Sequence, residues 1–158
     1  MNGDSQPSPP HAADSARSAR PVLFLDQLFD AQSLYQLRSA VAAHTAELGV
    51  PARQAHDILI AVHELASNTI RHGLGHGRLS GWTTQRLLIW TIADGERPGD
   101  LAPPAALDRT PADSPNLPWP VVPGHGLWLV GRVADRLIVH CADGIVSATV
   151  SFTHQSLA

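Results

Sequence analysis

Two side chains four residues apart, Glu64 and Asn68, are the first in this chain that could do chemistry together; they stand in the stretch His63-Glu64-Leu65-Ala66-Ser67-Asn68-Thr69-Ile70-Arg71-His72-Gly73. In a helix they share a face. A carboxylate able to take a proton, one turn from an amide oxygen able to bind a hard cation, is what a magnesium-nucleotide site requires. The same spacing also fits the solvated side of an amphipathic helix, so the pair alone leaves both readings open. A zinc-protease reading of His63-Glu64 is not supported, because Ser67 stands where the second histidine would have to be.

Two other places supply complementary chemistry. Asp94 ends an apolar run, Leu87 to Ala93, and is followed by Gly95. Its carboxylate could accept a hydrogen bond from an exocyclic amine, which is one way to choose adenine over guanine; an ordinary Asp-Gly turn is the alternative. Gly124-His125-Gly126 precedes the periodic apolar residues Leu127, Leu129, Val130, Val133 and Ala134. Backbone N–H groups at such a helix start attract phosphate, and glycines let it approach closely.

The elements that must position these residues follow from periodicity. Ala55, Ile58, Leu59, Val62, Leu65, Ala66, Thr69 and Ile70 form one arc of a helix running from Pro51 to about His72, with Asp57, Glu64, Asn68 and Arg71 opposite; Gly73, Gly75 and Gly77 end it. An earlier helix carries Leu34, Leu37, Val41 and Leu48, with Asp30 as its expected N-cap and Gly49 as its stop. Strands are expected at Val22 to Leu25, Arg78 to Thr83, Arg86 to Ala93, Leu137 to Cys141 and Ile145 to Phe152, the last two joined at Ala142-Asp143-Gly144. Hairpin-linked strands and blocks of helix predict an α/β (α+β) two-layer sandwich: a mostly antiparallel mixed sheet with helices on one face.

Residues 1–20 are rich in Pro, Ser, Ala and Gly and read as a disordered tail, leaving 21–158 as one domain. Within it, Glu96 to Pro123 holds eight prolines and no regular period. The formal net charge of -3, with 11 Lys+Arg and no basic run, gives no electrostatic footprint for nucleic acid or an anionic membrane. Neither a signal core nor a membrane-length apolar run is present, so a cytoplasmic location is expected. The single cysteine, Cys141, allows no internal disulfide and is expected as a small core residue.

Taken in order, these boxes resemble the GHKL ATP-binding superfamily of gyrase, heat-shock chaperone, histidine kinase and MutL-type ATPases, and most closely its small bacterial branch of anti-sigma-factor serine kinases. Glu64-x-x-x-Asn68 followed by Ile70-Arg71-His72-Gly73 is similar to that branch's N-box, and Gly124-x-Gly126-Leu127-x-x-Val130 continuing to Ala134-Asp135 to its second glycine box. The resemblance covers roughly residues 22 to 153. It implies a Bergerat-type fold with the Pro-rich 96–123 segment as an ATP lid. It further implies Glu64 as general base, Asn68 as magnesium ligand, Asp94 as the adenine-reading residue assisted by Thr149, and Gly99, Gly124, Gly126 and Leu127 as nucleotide-binding positions. One position departs: where the family's first glycine box has a glycine two after the aspartate, this chain has Glu96.

The activity so implied is that of an ATP- and magnesium-dependent serine/threonine-protein kinase. It would bind a sigma factor and phosphorylate the antagonist protein that otherwise releases it, working as a homodimer. The altered glycine box supports an alternative, a GHKL-fold module acting by protein-protein contact without catalysis.

Overall fold

The computed structural model describes residues 20–95 and 126–154. The expected tail, up to residue 19, and the 96–123 segment lie outside the described residues, as do Glu96, Gly99 and Gly124. Among those described, five strands and three helices follow one another: β1 (Val22–Asp30), α1 (Leu34–Glu47), α2 (Ala52–His72), β2 (His76–Thr83), β3 (Leu87–Asp94), α3 (Gly126–Val133), β4 (Arg136–Ala142) and β5 (Ile145–Thr153). The strands form one sheet in the order β1-β2-β3-β5-β4, antiparallel at every pairing. The expected sandwich is therefore present, with an antiparallel rather than a mixed sheet.

The helices cover one face. Along β3, Leu88, Trp90 and Ile92 turn inward, and along β5 so do Val146, Ala148, Val150 and Phe152. They meet Leu37 and Val41 of α1, Ile58, Ala61, Val62, Leu65 and Ala66 of α2, and Leu127 and Val130 of α3. Each fully buried Val, Leu, Ile or Phe among them contributes about 1.5–3 kcal/mol by leaving water. The period of two along the strands and of 3.6 along α2 meets in this one core.

Local chemistry sets the element ends. Pro51 occupies the N-cap of α2 with φ -57°, a torsion its ring enforces, and Arg71 and His72 place basic groups in the last turn, where the helix dipole favours them. Asp143 and Gly144 both have positive φ, 54° and 75°, which is the two-residue type I′ turn that joins β4 to β5 with the right twist.

Three expectations require correction. The first strand continues to Asp30, beyond Leu25, because residues 22–30 pair throughout with β2, with an irregularity between Leu23 and Leu25. Asp30 is consequently the last residue of β1 and not the N-cap of α1; its Oδ1 accepts the backbone N–H groups of Gln32 and Ser33, both at 2.9 Å, and holds the turn before the helix. Cys141 is exposed rather than a core residue, since β4 is an edge strand. Among the described residues, no helix is long and apolar enough to cross a membrane.

Candidate functional site

Helix α2 is the platform of the site. Glu64 is half-buried, and its carboxylate rests against Gly126, the first residue of α3: a Cβ at position 126 would come within 2.3 Å of Glu64 Oε2. The end of the Glu64 side chain fills the space that a side chain at position 126 would need. Leu127 and Val130, 2% and 0% exposed, seat α3 in the core and so fix the approach. One turn beyond Glu64, Asn68 is 6% exposed and its Nδ2 has no hydrogen-bond partner. The solvated-face reading therefore does not hold for Asn68. It lies on the flank of α2 that it shares with Glu64 and is taken out of water with its amide nitrogen unused, an arrangement that costs free energy unless an acceptor comes to it.

Asp94 closes β3 beneath the last turn of the same helix. It is 3% exposed, and a Cβ at Gly73 would fall 2.2 Å from its Oδ1. Gly77 is its partner across the β2–β3 pair, and a Cβ there would meet the Ala93 carbonyl oxygen at 2.6 Å and Thr69 Cγ2 at 2.9 Å. Two glycines after α2 thus let the helix end and the strand end come together. Burial pushes the Asp94 carboxyl above the ordinary carboxylate range, against the opposing pull of the Val146 backbone N–H, the Thr69 hydroxyl and His76. The pull of Thr69 does not amount to a formed hydrogen bond: Thr69 Oγ1 and Asp94 Oδ1 are both buried without a partner of acceptable geometry.

Glu64 and Gly73 are nine positions apart, about 13 Å of helix at 1.5 Å per residue. The site therefore has two poles separated along α2, one with a carboxylate, an amide and a glycine-lined helix start, the other with a buried carboxylate at the end of the helix. An extended ligand with an anionic end and an amine-bearing end matches both.

Thr149 is not brought to Asp94. It pairs with Thr91, and the two hydroxyls lie 3.2 Å apart on the sheet face that the helices leave open. Side chains alternate along a strand, so Thr91 and Asp94, three residues apart, point to opposite faces. One step beyond the Ala93↔Ser147 pair, the β5 residue on the Asp94 side is Val146, which is apolar. Residues that sequence reasoning passed over fill this pole instead: Thr69, assigned to the packing arc, and Gly73 and Gly77, read as a helix stop. Their signal was a hydroxyl immediately after Asn68 and a glycine four residues further on, which places both on the same side of the helix.

A cleft of about 500 Å³ opens elsewhere, between the β1–α1 turn and the connection from α2 to β2; Asp30, Ser33, Leu74 and His76 are among its lining residues. Gly77 of the Asp94 pole also lines it, whereas Glu64, Asn68, Thr69, Gly73, Asp94 and Gly126 do not.

No curated protein matches this chain. A family model described as the histidine kinase-like ATPase domain matches residues 29–152, from the end of β1 through nearly all of β5, and so takes in both poles of the site. On that extent of match, the chain belongs to the family of histidine kinase-like ATPase domains.

Proposed function

We propose that this protein binds ATP with magnesium along α2 and transfers its γ-phosphoryl group to a serine or threonine of a partner protein. The observation that carries the reading is the Glu64–Gly126 contact with Asn68 buried one turn away: a carboxylate, a buried amide and the first residue of a helix meet at one pole. Asp94 at the other pole accepts a hydrogen bond from the adenine amine. In the transfer, Glu64 takes the proton of the substrate hydroxyl, the hydroxyl oxygen bonds to the γ-phosphorus, the bond from that phosphorus to the β–γ bridging oxygen breaks, and ADP leaves. Asn68 would hold the magnesium ion, which neutralises phosphate charge.

The resemblance of Glu64-x-x-x-Asn68 through Gly73 to anti-sigma kinases supports a specific setting. In it, a cytoplasmic homodimer binds a sigma factor and inactivates the antagonist protein by phosphorylating it. Glu96 in place of a glycine favours a second reading, a module that regulates by contact alone.

Incubation of the purified chain with labelled ATP, magnesium and antagonist proteins, beside Glu64→Ala, separates the two. Phosphorylation that the substitution abolishes is the expected result. Calorimetric ATP binding with no wild-type transfer to any antagonist would favour the contact module, and no ATP binding at all would remove the nucleotide site.

A further inference from the structure

We infer that the hydroxyl completing purine recognition beside Asp94 belongs to Thr69 of α2 and not to Thr149 of β5. The inference rests on the nucleotide reading above and names a specificity-determining residue within it.

Thr69 is completely buried, and its Oγ1 has no partner. A threonine hydroxyl usually escapes this state in a helix by bonding to a carbonyl one turn back, so its orphaned condition calls for a reason. Asp94 Oδ1 is orphaned as well. The two groups face the same small region: Gly73, one turn after Thr69, touches the Asp94 carboxylate, while Gly77, which faces Asp94 across the strands, touches Thr69 Cγ2. Each glycine keeps this region free of a Cβ. Nothing comparable exists on the β5 side. Val146 offers only its backbone there, and the Thr149 hydroxyl is occupied with Thr91 beyond the sheet.

The two orphaned groups are chemically complementary to one edge of adenine. A carboxylate only accepts, so it takes the exocyclic amine; a hydroxyl can donate, and the ring nitrogen beside that amine is an acceptor. Guanine presents the reverse order along that edge, a carbonyl oxygen beside an N–H, and would set its oxygen against the carboxylate. Thr69 therefore adds a second point of discrimination to the one Asp94 supplies. A base that occupies this region satisfies two atoms that the protein otherwise leaves unpaired.

The test uses the full chain and three substitutions, Thr69→Val, Thr69→Ser and Thr149→Val, titrated calorimetrically with ATP and with the 1-deaza analogue of ATP, which keeps the amine and lacks the ring acceptor. Thr69→Val is expected to weaken ATP about tenfold, the loss of one buried hydrogen bond, while leaving the deaza analogue unchanged. Thr69→Ser is expected to restore the ATP preference, and Thr149→Val to leave it as in the wild type. Because the hydroxyl is unpartnered in the free protein, Thr69→Val is also expected to unfold at the same temperature as the wild type or higher, which separates lost recognition from lost fold. Wild-type ATP affinity in Thr69→Val, or an equal loss in Thr149→Val, would overturn the assignment while the nucleotide site stood. An absence of ATP binding by the wild type would overturn both.

Discussion

Gly126 and Glu64 are in such close contact that the smallest possible side chain on the glycine would reach 2.3 Å from the carboxylate oxygen Oε2. The atom it would strike is the free end of a flexible side chain, which can swing away at little cost. Gly126→Ala is therefore expected to fold with a thermal midpoint close to that of the wild type, aided by alanine's better helix propensity. Its phosphoryl transfer should fall by about 10²–10⁴, the usual contribution of a positioned general base. Parallel measurement of thermal unfolding and transfer rate checks both halves.

Gly73→Ala presents the contrasting case. The group in its way is Asp94, a short side chain that is 3% exposed and has little freedom to turn. The expected cost is about 1–3 kcal/mol, as for other overpacked interiors. Denaturant unfolding should show a lower midpoint with an unchanged slope, and an unaltered midpoint would mean that the end of α2 can lift away from β3.

Removal of the Asn68 amide should separate stability from binding. Because Nδ2 is buried and unpartnered, Asn68→Ala breaks no hydrogen bond made by that nitrogen, and its unfolding free energy should fall by about 1 kcal/mol or less. Calorimetric titration with ATP and magnesium should nevertheless show no saturable binding. Wild-type affinity in this variant would take Asn68 out of the site.

Asp94 makes stability depend on pH in the direction opposite to most carboxylates. Its folded-state pKa is raised, chiefly by burial, so the folded chain holds the proton more tightly than the unfolded chain does. Ionisation of Asp94 therefore costs stability above the folded pKa, and the cost is relieved as pH falls through that value. Asp94→Asn is expected to unfold at a higher temperature than the wild type at pH 7, with the gap narrowing as both are acidified towards pH 4. It should also lose preference for adenine nucleotides.

Asp26 behaves in the ordinary sense. Arg78 donates to it through Nε at 2.7 Å and through a second guanidinium nitrogen, and Ser80 adds a longer contact at 3.2 Å. The hydrogen bond from Arg78 is the largest cause of the lowered Asp26 pKa. The stabilisation is thus fully present above the unfolded carboxylate pKa and fades as pH falls below it. Asp26→Asn should lower the thermal midpoint slightly at pH 7 and match the wild type in strong acid. The effect should be small, since both side chains keep about a quarter of their surface in water and exposed pairs contribute little.

By itself the sequence determined the helices, the strands and which faces would be buried, because those rest on periods of 3.6 and 2 and on local turn chemistry. The apolar arc of α2, the Asp143-Gly144 turn and the Asp94 strand end could all be read from neighbouring residues. So could the possibility of nucleotide chemistry at Glu64 and Asn68, since four residues is one helical turn whatever the fold. Which of those side chains left the solvent was a tertiary decision: Asn68 falls opposite the apolar arc, and its burial depends on what packs beside it. The register of β3 against β5 likewise joins residues 58 positions apart, Thr91 and Thr149, and no local pattern sets it. A shift of one residue moves a side chain to the other face of a sheet. That register turned Thr149 away from Asp94, and the packing of the end of α2 on β2 and β3 brought Thr69 to it instead.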